Sequence, residues 1–409
     1  MATDEASAAR RARLVPIVVA LLSVTACAAE RESTPPSLVP LVPPAEVPVS
    51  TVAPTTTAAP SSDPNNPLVT AVPDMDCAYA ERPPAGEITF VVGDRLYGAA
   101  PDGSGLRCLT TLTGEQLGPV EWSPDGERAL LDSAWVFDAK GIRLSGFDAA
   151  NLRVNWEWPT STGIFAPSES GGSLVRRDAA DPNLRTEITF LAETVAAVAH
   201  PSGGAVIASG VAPDGTSGLY VADSNGQNPR MLASVSSTDP ATTITITEVV
   251  VDAAGDVVYF MVDKSTSFRV EQLSLTDLSI IELSHEQAPI ADLTTGPTRR
   301  TIAWKVGLCN SVTRARVRDE RTGTPVDVGT GTPIESLSLA PIGWLDGARL
   351  VVEARPLGCD GPADVWIWNL FDGSATLLAK TVDFPSVRTT PSAASPLSID
   401  AGAVPGTLP

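Results

Sequence analysis

The strongest constraint on this chain is a hairpin pattern that recurs along it. The stretch VEWSPDGERALL (120–131) holds an apolar strand, a Pro-Asp-Gly turn and a second apolar strand. Proline pre-sets φ early in such a turn, Asp accepts a bond from a backbone N–H, and Gly takes the positive-φ position. Related stretches lie at 197–210, 249–262, 292–306 and 342–354. Such repetition predicts an all-β repeat fold.

A second hairpin recurs in phase with the first. LYGAAPDGSGLRCLT (96–110) and LYVADSNGQNPRMLA (219–233) share a Leu-Tyr start, a turn containing Gly, a basic residue and a final apolar strand. The stretches 134–145 and 365–379 have the same form. Two hairpins in each repeat of about 40 to 50 residues make four strands, the size of a β-propeller blade. The sequence predicts about seven four-stranded blades, with six as the alternative, over residues 76–390.

These repeats also carry a family resemblance. The WSPDG turn (122–126) followed by a strand, together with 219–233, resembles the TolB-like, WD-type β-propeller repeats of bacterial envelope proteins. The resemblance covers roughly residues 86–390 and implies a module for protein–protein contact. The first repeat holds only three strands, so the last apolar stretch, 380–390, is predicted to supply the fourth and close the ring. The tail, 391–409, is predicted to be disordered.

The N-terminus has the features of an export signal with a lipid anchor. Arginines precede an apolar run at 14–26, which is too short to span a bilayer but fits a secretory signal. The run ends in Val-Thr-Ala-Cys, which resembles the bacterial lipobox and implies removal of residues 1–26 and acylation, as by palmitate, of Cys27. An ordinary cleaved signal or an uncleaved anchor is the alternative. Lipid on Cys27 would hold the protein at the extracytoplasmic face of the cell membrane.

A linker follows the predicted anchor at 27–75. Within it, residues 31–75 contain 11 prolines among 45 residues and no aromatic residue. Such a segment lacks the side chains of a packed core, and proline favours extended polyproline II structure. The sequence therefore predicts a disordered Pro/Thr-rich tether between the membrane and the propeller.

Four cysteines remain for disulfide bonds once Cys27 is assigned to lipid. Exported proteins form disulfides, and four cysteines allow three pairings. Neighbouring predicted strands favour Cys77–Cys108 and Cys309–Cys359. No two of these cysteines have the short spacing of a zinc site, so no metal site is predicted.

The sequence offers little for catalysis. It has no GxSxG elbow, no P-loop and no GxGxxG motif, which nucleophilic and nucleotide-dependent enzymes use. His200 lies in a predicted turn and His285 in a predicted connection between blades, so both are interpreted as surface or turn residues without a catalytic role. Four acids lie beside Gly in turns, where Asp is expected for backbone reasons; they are Asp125, Asp214, Asp223 and Asp372.

Two tryptophan pairs have alternative interpretations. NWEWP (155–159) and VWIWN (365–369) place Trp at positions i and i+2, on one face of a strand. Such a pair can form a platform for a sugar or peptide. Packing between adjacent blades is the favoured interpretation, because Trp fills large gaps there.

Charge and motifs together define the functional prediction. The formal net charge is −20, and such a surface repels nucleic acid. No catalytic residue, cofactor or metal is predicted. The chain is expected to be a lipid-anchored envelope protein whose propeller binds or scaffolds an envelope protein or a glycan. The alternative is an extracytoplasmic carbohydrate lyase or hydrolase with its site at the channel mouth.

Overall fold

A computed structural model describes the C-terminal four-fifths of the chain, with gaps. The described residues are 67–69, 76–77, 86–138, 143–146, 155–157, 162–168, 172–181, 183–235, 244–297, 300–320, 323–357, 359, 361–388, 394, 396–400 and 403–408. The predicted signal peptide (1–26), Cys27 and the predicted linker (27–75), except for 67–69, lie outside the described residues. Within the described ranges no helix has the length and apolar character needed to cross a membrane.

The described part is almost entirely β-structure, with one short 3-10 turn at Gly114–Gln116. Strands β1 to β14 are Glu87–Val92, Arg95–Ala99, Arg107–Thr111, Val120–Trp122, Arg128–Leu131, Trp135–Asp138, Arg143–Gly146, Asn155–Trp156, Gly163–Pro167, Leu174–Asp178, Arg185–Ile188, Glu193–Ala199, Ala205–Val211 and Ser217–Asp223. Strands β15 to β28 are Arg230–Val235, Thr245–Val251, Val257–Asp263, Phe268–Ser274, Ile280–Glu286, Ile290–Thr295, Thr301–Val306, Arg314–Asp319, Val326–Asp327, Ser338–Trp344, Arg349–Arg355, Ala363–Asn369, Ala375–Arg388 and Gly406–Leu408.

The described strands form six hydrogen-bonded sheets. Four sheets are four-stranded: β4–β7, β8–β11, β16–β19 and β20–β23. A fifth contains β12–β15 with β28 at its outer edge, and the sixth has seven strands in the order β24-β25-β26-β27-β1-β2-β3. Five sheets are therefore of blade size, which is fewer than the seven or six blades predicted. The sixth sheet is larger because β27 joins β24–β26 to β1–β3.

The innermost strands of the sheets surround a central channel. Contacts join β27 to β4, β8 to β12, β12 to β16, β16 to β20, β20 to β24 and β24 to β27. Sheets arranged radially around such a channel make a β-propeller. The predicted all-β propeller fold is therefore confirmed, and the stretch 120–131 forms the inner hairpin β4–β5 of one blade.

The turn in this hairpin has the chemistry that its sequence predicts. Gly126 has φ +62°, and its N–H donates to the Ser123 carbonyl over 2.8 Å. The Asp125 carboxylate accepts from the Glu127 N–H at 3.0 Å, and the Ser123 hydroxyl accepts from the Arg128 N–H at 2.9 Å. Side chains therefore replace solvent for backbone donors that the turn leaves unpaired.

The long strand β27 closes the ring, as predicted for 380–390. Its first half pairs with β26 and its second half pairs antiparallel with β1, where Glu87 lies opposite Arg388. The Gly86 N–H donates to the Arg388 carbonyl at 2.7 Å, and the Arg388 Nε donates to the Gly126 carbonyl at 3.1 Å. One continuous strand thus supplies the fourth strand of the first repeat.

Three of the four paired tryptophans occupy the packing positions that the sequence favours, and the fourth, Trp158, lies outside the described residues. Trp156, Trp366 and Trp368 are buried, so they form no exposed platform. The Trp156 indole N–H also donates to the Glu121 carbonyl of the preceding sheet at 3.3 Å. The Trp122 indole makes the equivalent bond to the Thr89 hydroxyl at 3.0 Å, so these side chains join neighbouring sheets by both packing and hydrogen bonds.

Both ends of the described chain correct the sequence prediction. The tail 391–409, predicted to be disordered, contains β28, which pairs parallel with β15 and buries Leu408. Residues 67–69 lie in the predicted tether, yet the Val69 N–H donates to the Leu378 carbonyl at 2.8 Å and Val69 is buried. In both cases a short apolar segment covers an outer strand edge that would otherwise expose its backbone.

Candidate functional site

A cavity of about 550 Å³ lies at the end of the channel where the inner strands begin. Four inner strands line it, together with the end of β25 and the loop that follows. The lining residues are 119–121 of β4 and its approach, 292–294 of β20, 340–342 of β24, 384–386 of β27, and Glu353, Arg355 and Cys359. We call this space the channel-mouth cavity.

β-Bulges in the inner strands direct side chains into this cavity. The register of β20 shifts between Ala291 and Thr294, and that of β24 between Pro341 and Gly343. The extra residues include Asp292, which has φ +59°, and Ile342. A bulge bends its strand and re-aims the inserted residue. The cavity wall is thus built from residues that regular strand pairing would place elsewhere.

Glu121 is the cavity residue with the most unusual environment. It is half-buried, and no described residue gives its carboxyl a hydrogen bond or an ion pair. Burial raises the pKa of Glu121 from 4.5 to about 8, because desolvation penalises the charged form. At neutral pH this carboxyl is mostly protonated, and a cation placed beside it would favour the carboxylate.

The other charged groups of the cavity have partners. Asp292 forms an ion pair with Lys305 of β21, and Glu353 forms one with Arg355 two residues along β25. The Arg355 Nε also donates to the Gly361 carbonyl at 2.9 Å. The channel-mouth cavity therefore presents two compensated ion pairs and one carboxyl, that of Glu121, without a counter-ion.

Both disulfides that the sequence favours are present. Cys77 bonds Cys108 on β3, and Cys309 bonds Cys359. The second bond joins the loop after β21 to the loop after β25, and its Cys359 lines the channel-mouth cavity. It therefore holds two loops of neighbouring sheets together beside the candidate site.

The two histidines lie apart from the cavity, and both correct a detail of the prediction. His200 is in a turn as predicted, but it is fully buried, and its Nε2 contacts the Gly255 carbonyl of the next sheet at 2.7 Å. Its Nδ1 lies 2.8 Å from the Ser202 hydroxyl. Burial lowers the pKa of His200. His285 lies on strand β19 rather than in a connection, beside Glu282.

The predicted turn acids have turn roles. Asp214 accepts from the Thr216 N–H and Asp372 from the Ser374 N–H, each at 2.9 Å. Hydrogen bonds lower the pKa of both carboxyls because they stabilise the charged form; the largest contribution comes from the Thr216 N–H at Asp214 and from the Ser374 hydroxyl at Asp372. The Asp223 carboxylate accepts from the Asn228 amide at 2.8 Å. With Asp125 described above, all four acids serve local backbone or loop structure.

A metal-binding group is absent from the described residues: none of their His, Cys, Asp and Glu side chains form a cluster of three or more that could hold an ion. A second cavity of about 780 Å³ lies between β19 and the pair β22–β23. Its charged side chains already have partners, since Arg316 contacts Glu286 and Asp327 and the lining residue Glu282 contacts Arg269. The channel-mouth cavity is therefore the stronger candidate site.

Four charged residues of the cavity are not among the candidate site residues predicted from the sequence: Glu121, Asp292, Glu353 and Arg355. Among these four residues, only Glu121 has a sequence context that is unusual enough to suggest a functional role. Val120 and Trp122 share one face of β4, so strand alternation puts Glu121 on the other face, and an acidic residue on an otherwise apolar inner strand is unusual. The bulges that turn Asp292 inward have no sequence signature in this chain.

No protein-family model matches the sequence, and no curated protein matches it significantly. The chain is similar in structure to a putative TolB from Agrobacterium tumefaciens, with 13% identity, a TM-score of 0.41, and coverage of 75% of this chain and 92% of that one. It is also similar to TolB from Acinetobacter baumannii, with 16% identity, a TM-score of 0.42, and coverage of 74% and 67%.

An enzyme is among the similar structures as well. An oligogalacturonate lyase in complex with manganese shares 12% identity and a TM-score of 0.47, with coverage of 69% of this chain and 82% of that one. Propellers of TolB proteins and of an enzyme thus occur together among the similar structures. Likenesses at this level assign neither a substrate nor a partner, because fold does not fix function.

Proposed function

We propose that this protein is a lipid-anchored, extracytoplasmic envelope protein whose propeller is a binding module, with the channel-mouth cavity as its binding site. The observation that carries the proposal is the cavity itself, which has one carboxyl without a counter-ion, on Glu121, beside two compensated ion pairs. Pockets with a few polar groups that converge on them are the usual ligand sites of proteins.

The propeller in this proposal has seven blades. The seven-stranded sheet is interpreted as two four-stranded blades that share β27, which adds two blades to the five separate sheets. Seven apolar clusters support this count, because each one joins a different pair of neighbouring strand sets. A closed ring has as many interfaces as blades, so seven clusters favour seven blades over six.

The anchor in this proposal is lipid on Cys27, followed by the Pro-rich linker. Support comes from the signal-like sequence at 1–26 and from the two disulfides, which are typical of exported proteins. The proposed partner is therefore another component of the envelope, a protein or a glycan.

An enzyme acting on carbohydrate is the second candidate. It is favoured by one observation, the raised pKa of Glu121, since a carboxyl kept protonated at neutral pH suits a general acid. Glycoside hydrolysis needs a second, available carboxylate, whereas Asp292 and Glu353 are engaged in ion pairs. The binding module is therefore preferred.

Crosslinking in intact cells tests the proposed function. The full-length protein and a control chain ending at residue 75 are produced at equal levels, crosslinked, purified and analysed by quantitative mass spectrometry. We expect one envelope component to be enriched with the full-length protein and absent from the control. Equal recovery of every component with both chains would contradict the binding module.

A further inference from the structure

Three large apolar side chains are exposed next to the channel-mouth cavity. Leu308 is 53% exposed, Val312 47% and Leu357 61%. Leu308 and Val312 lie in the loop after β21, and Leu357 lies in the loop after β25. We call these three residues the apolar rim. Single exposed apolar residues are ordinary, but several together on one surface indicate a contact site.

The Cys309–Cys359 disulfide places the two parts of the apolar rim together. The Cα atoms of these cysteines are 4.9 Å apart, and Leu308 is adjacent to one of them while Leu357 is two residues from the other. Gly307 and Thr313, at the two ends of the first loop, are also in contact. Because Cys359 lines the cavity, the disulfide links the apolar rim to the edge of the channel-mouth cavity.

We propose that the apolar rim and Glu121 together bind an extended segment of a partner protein that carries an aliphatic side chain and a nearby Lys or Arg. The aliphatic side chain covers the rim, and the basic side chain enters the cavity. This inference rests on the proposed function and specifies its partner.

Charge complementarity selects a basic segment as the occupant. Glu121 is the cavity carboxyl without a counter-ion among the described residues, whereas Asp292 and Glu353 are already paired. The whole chain has a formal net charge of −20, so an acidic segment would be repelled and a basic one attracted. An ammonium or guanidinium also supplies the hydrogen-bond donors that this carboxyl lacks.

The disulfide makes the rim a suitable apolar contact. Binding is weakened when flexible loops must become ordered, because ordering costs conformational entropy. Loops that are already held in place by a disulfide avoid much of this cost. Binding energy at protein interfaces is concentrated in a few central apolar and charged contacts. A covalently joined apolar rim beside one half-buried carboxyl has this arrangement.

A peptide library tests the proposal on the purified full-length protein. Eight-residue peptides of random sequence are selected for binding, and the residue preferences of the selected pool are read by sequencing. We expect enrichment of Lys or Arg at a fixed short spacing from Leu, Ile or Val. Individual peptides from the pool are then measured by fluorescence polarisation.

Variants separate the two contacts. Glu121→Gln is expected to weaken the binding of basic peptides by about 10-fold or more. It is also expected to abolish the enrichment of Lys and Arg in the selected pool. Leu308→Ser with Leu357→Ser is expected to remove the aliphatic preference. Leu184→Ser is the matched control, since Leu184 is also 61% exposed but lies next to β11, on another blade; it should bind like the unchanged protein.

Two results would overturn the inference while leaving the proposed function in place. One is a selected pool without basic residues, or with acidic ones. The other is a crosslinked envelope partner that is recovered equally by the unchanged protein, by Glu121→Gln and by the double Leu variant. Absence of any partner in the crosslinking experiment would instead contradict the proposed function itself.

Discussion

At the scale of single residues, Glu121 determines an unusual pH dependence. Its pKa rises from 4.5 to about 8 on folding, so between these values the folded protein retains a proton that the unfolded chain releases. The free energy of unfolding therefore falls as pH rises through this window, and the loss is complete above about pH 8. Glu87, whose pKa burial raises to about 7, acts in the same direction.

The substitution Glu121→Gln should remove the contribution of Glu121 to this pH dependence of stability. We expect Glu121→Gln to be more stable than the unchanged protein at pH 8, by on the order of 2 kcal/mol, and to differ little at pH 4.5. Urea unfolding at both pH values measures this. Glu193→Gln, at an exposed position at the start of β12, is the control and should show no such difference; a stability gain at pH 4.5 alone would contradict the account.

The two histidines provide an internal comparison. His200 is fully buried and bridges two sheets through the Gly255 carbonyl, whereas the His285 side chain is 43% exposed. We expect His200→Ala to lower the free energy of unfolding by about 2–3 kcal/mol and His285→Ala by less than about 0.5 kcal/mol. Chemical denaturation at pH 7 measures both, and equal effects would show that the bridge contributes little.

Protonation of His200 gives the opposite pH dependence to that of Glu121. Because burial lowers the pKa of His200, the unfolded chain binds a proton first as pH falls below about 6.5. The stability that neutral His200 contributes is therefore lost as pH decreases from there, and His200→Ala should lose less stability than the unchanged protein over that range. The same denaturation experiment repeated at pH 5.5 checks this.

The roles of some residues could be predicted from the neighbouring sequence, whereas the roles of others depend on distant parts of the chain. The turn role of Asp125 follows from its place in a Pro-Asp-Gly sequence. The spacing of Trp366 and Trp368 places them on one strand face, and their burial comes from the neighbouring sheet. His200 has a turn sequence too, and its burial arises from the neighbouring sheet. The importance of Glu121 arises from β20, β24 and β27, which are distant in sequence and complete the cavity.

At the scale of structural elements, β27 is expected to decide whether the ring closes. It pairs with β26 through one half and with β1 through the other. We expect a chain ending after Arg388 to fold with reduced stability, because it loses only β28 and the described tail. A chain ending after Val382 should lose cooperative unfolding, because β1 then has an open edge. Circular dichroism during heating, with limited proteolysis, compares the two; similar cooperative transitions would contradict the closing role.

Strands could be predicted where the pattern of apolar residues and the residues of the turns indicated the same hairpin. The recurring hairpins gave the inner and outer strand pairs, and the missing strand of the first repeat predicted the closure. Strand β28 was missed, since Gly-Thr-Leu is too short to show a periodicity.

At the level of the whole molecule, we propose that a lipid anchor, a linker and the propeller follow one another along the chain. If lipid on Cys27 anchors the chain, Cys27→Ser should move most of the protein from the membrane fraction to the soluble extracytoplasmic fraction. Fractionation followed by immunoblotting measures this, with Cys77→Ser as a control that should stay with the membrane. Unchanged membrane association of Cys27→Ser would contradict lipid anchoring.

We infer that the propeller binds its partner through the channel mouth. The most direct test places a photo-crosslinking amino acid in living cells at Leu357, on the apolar rim, and separately at Leu184, which has the same exposed fraction. After illumination, the account predicts a discrete crosslinked partner from position 357 and none from position 184. A partner captured only from position 184, or equally from both, would contradict it.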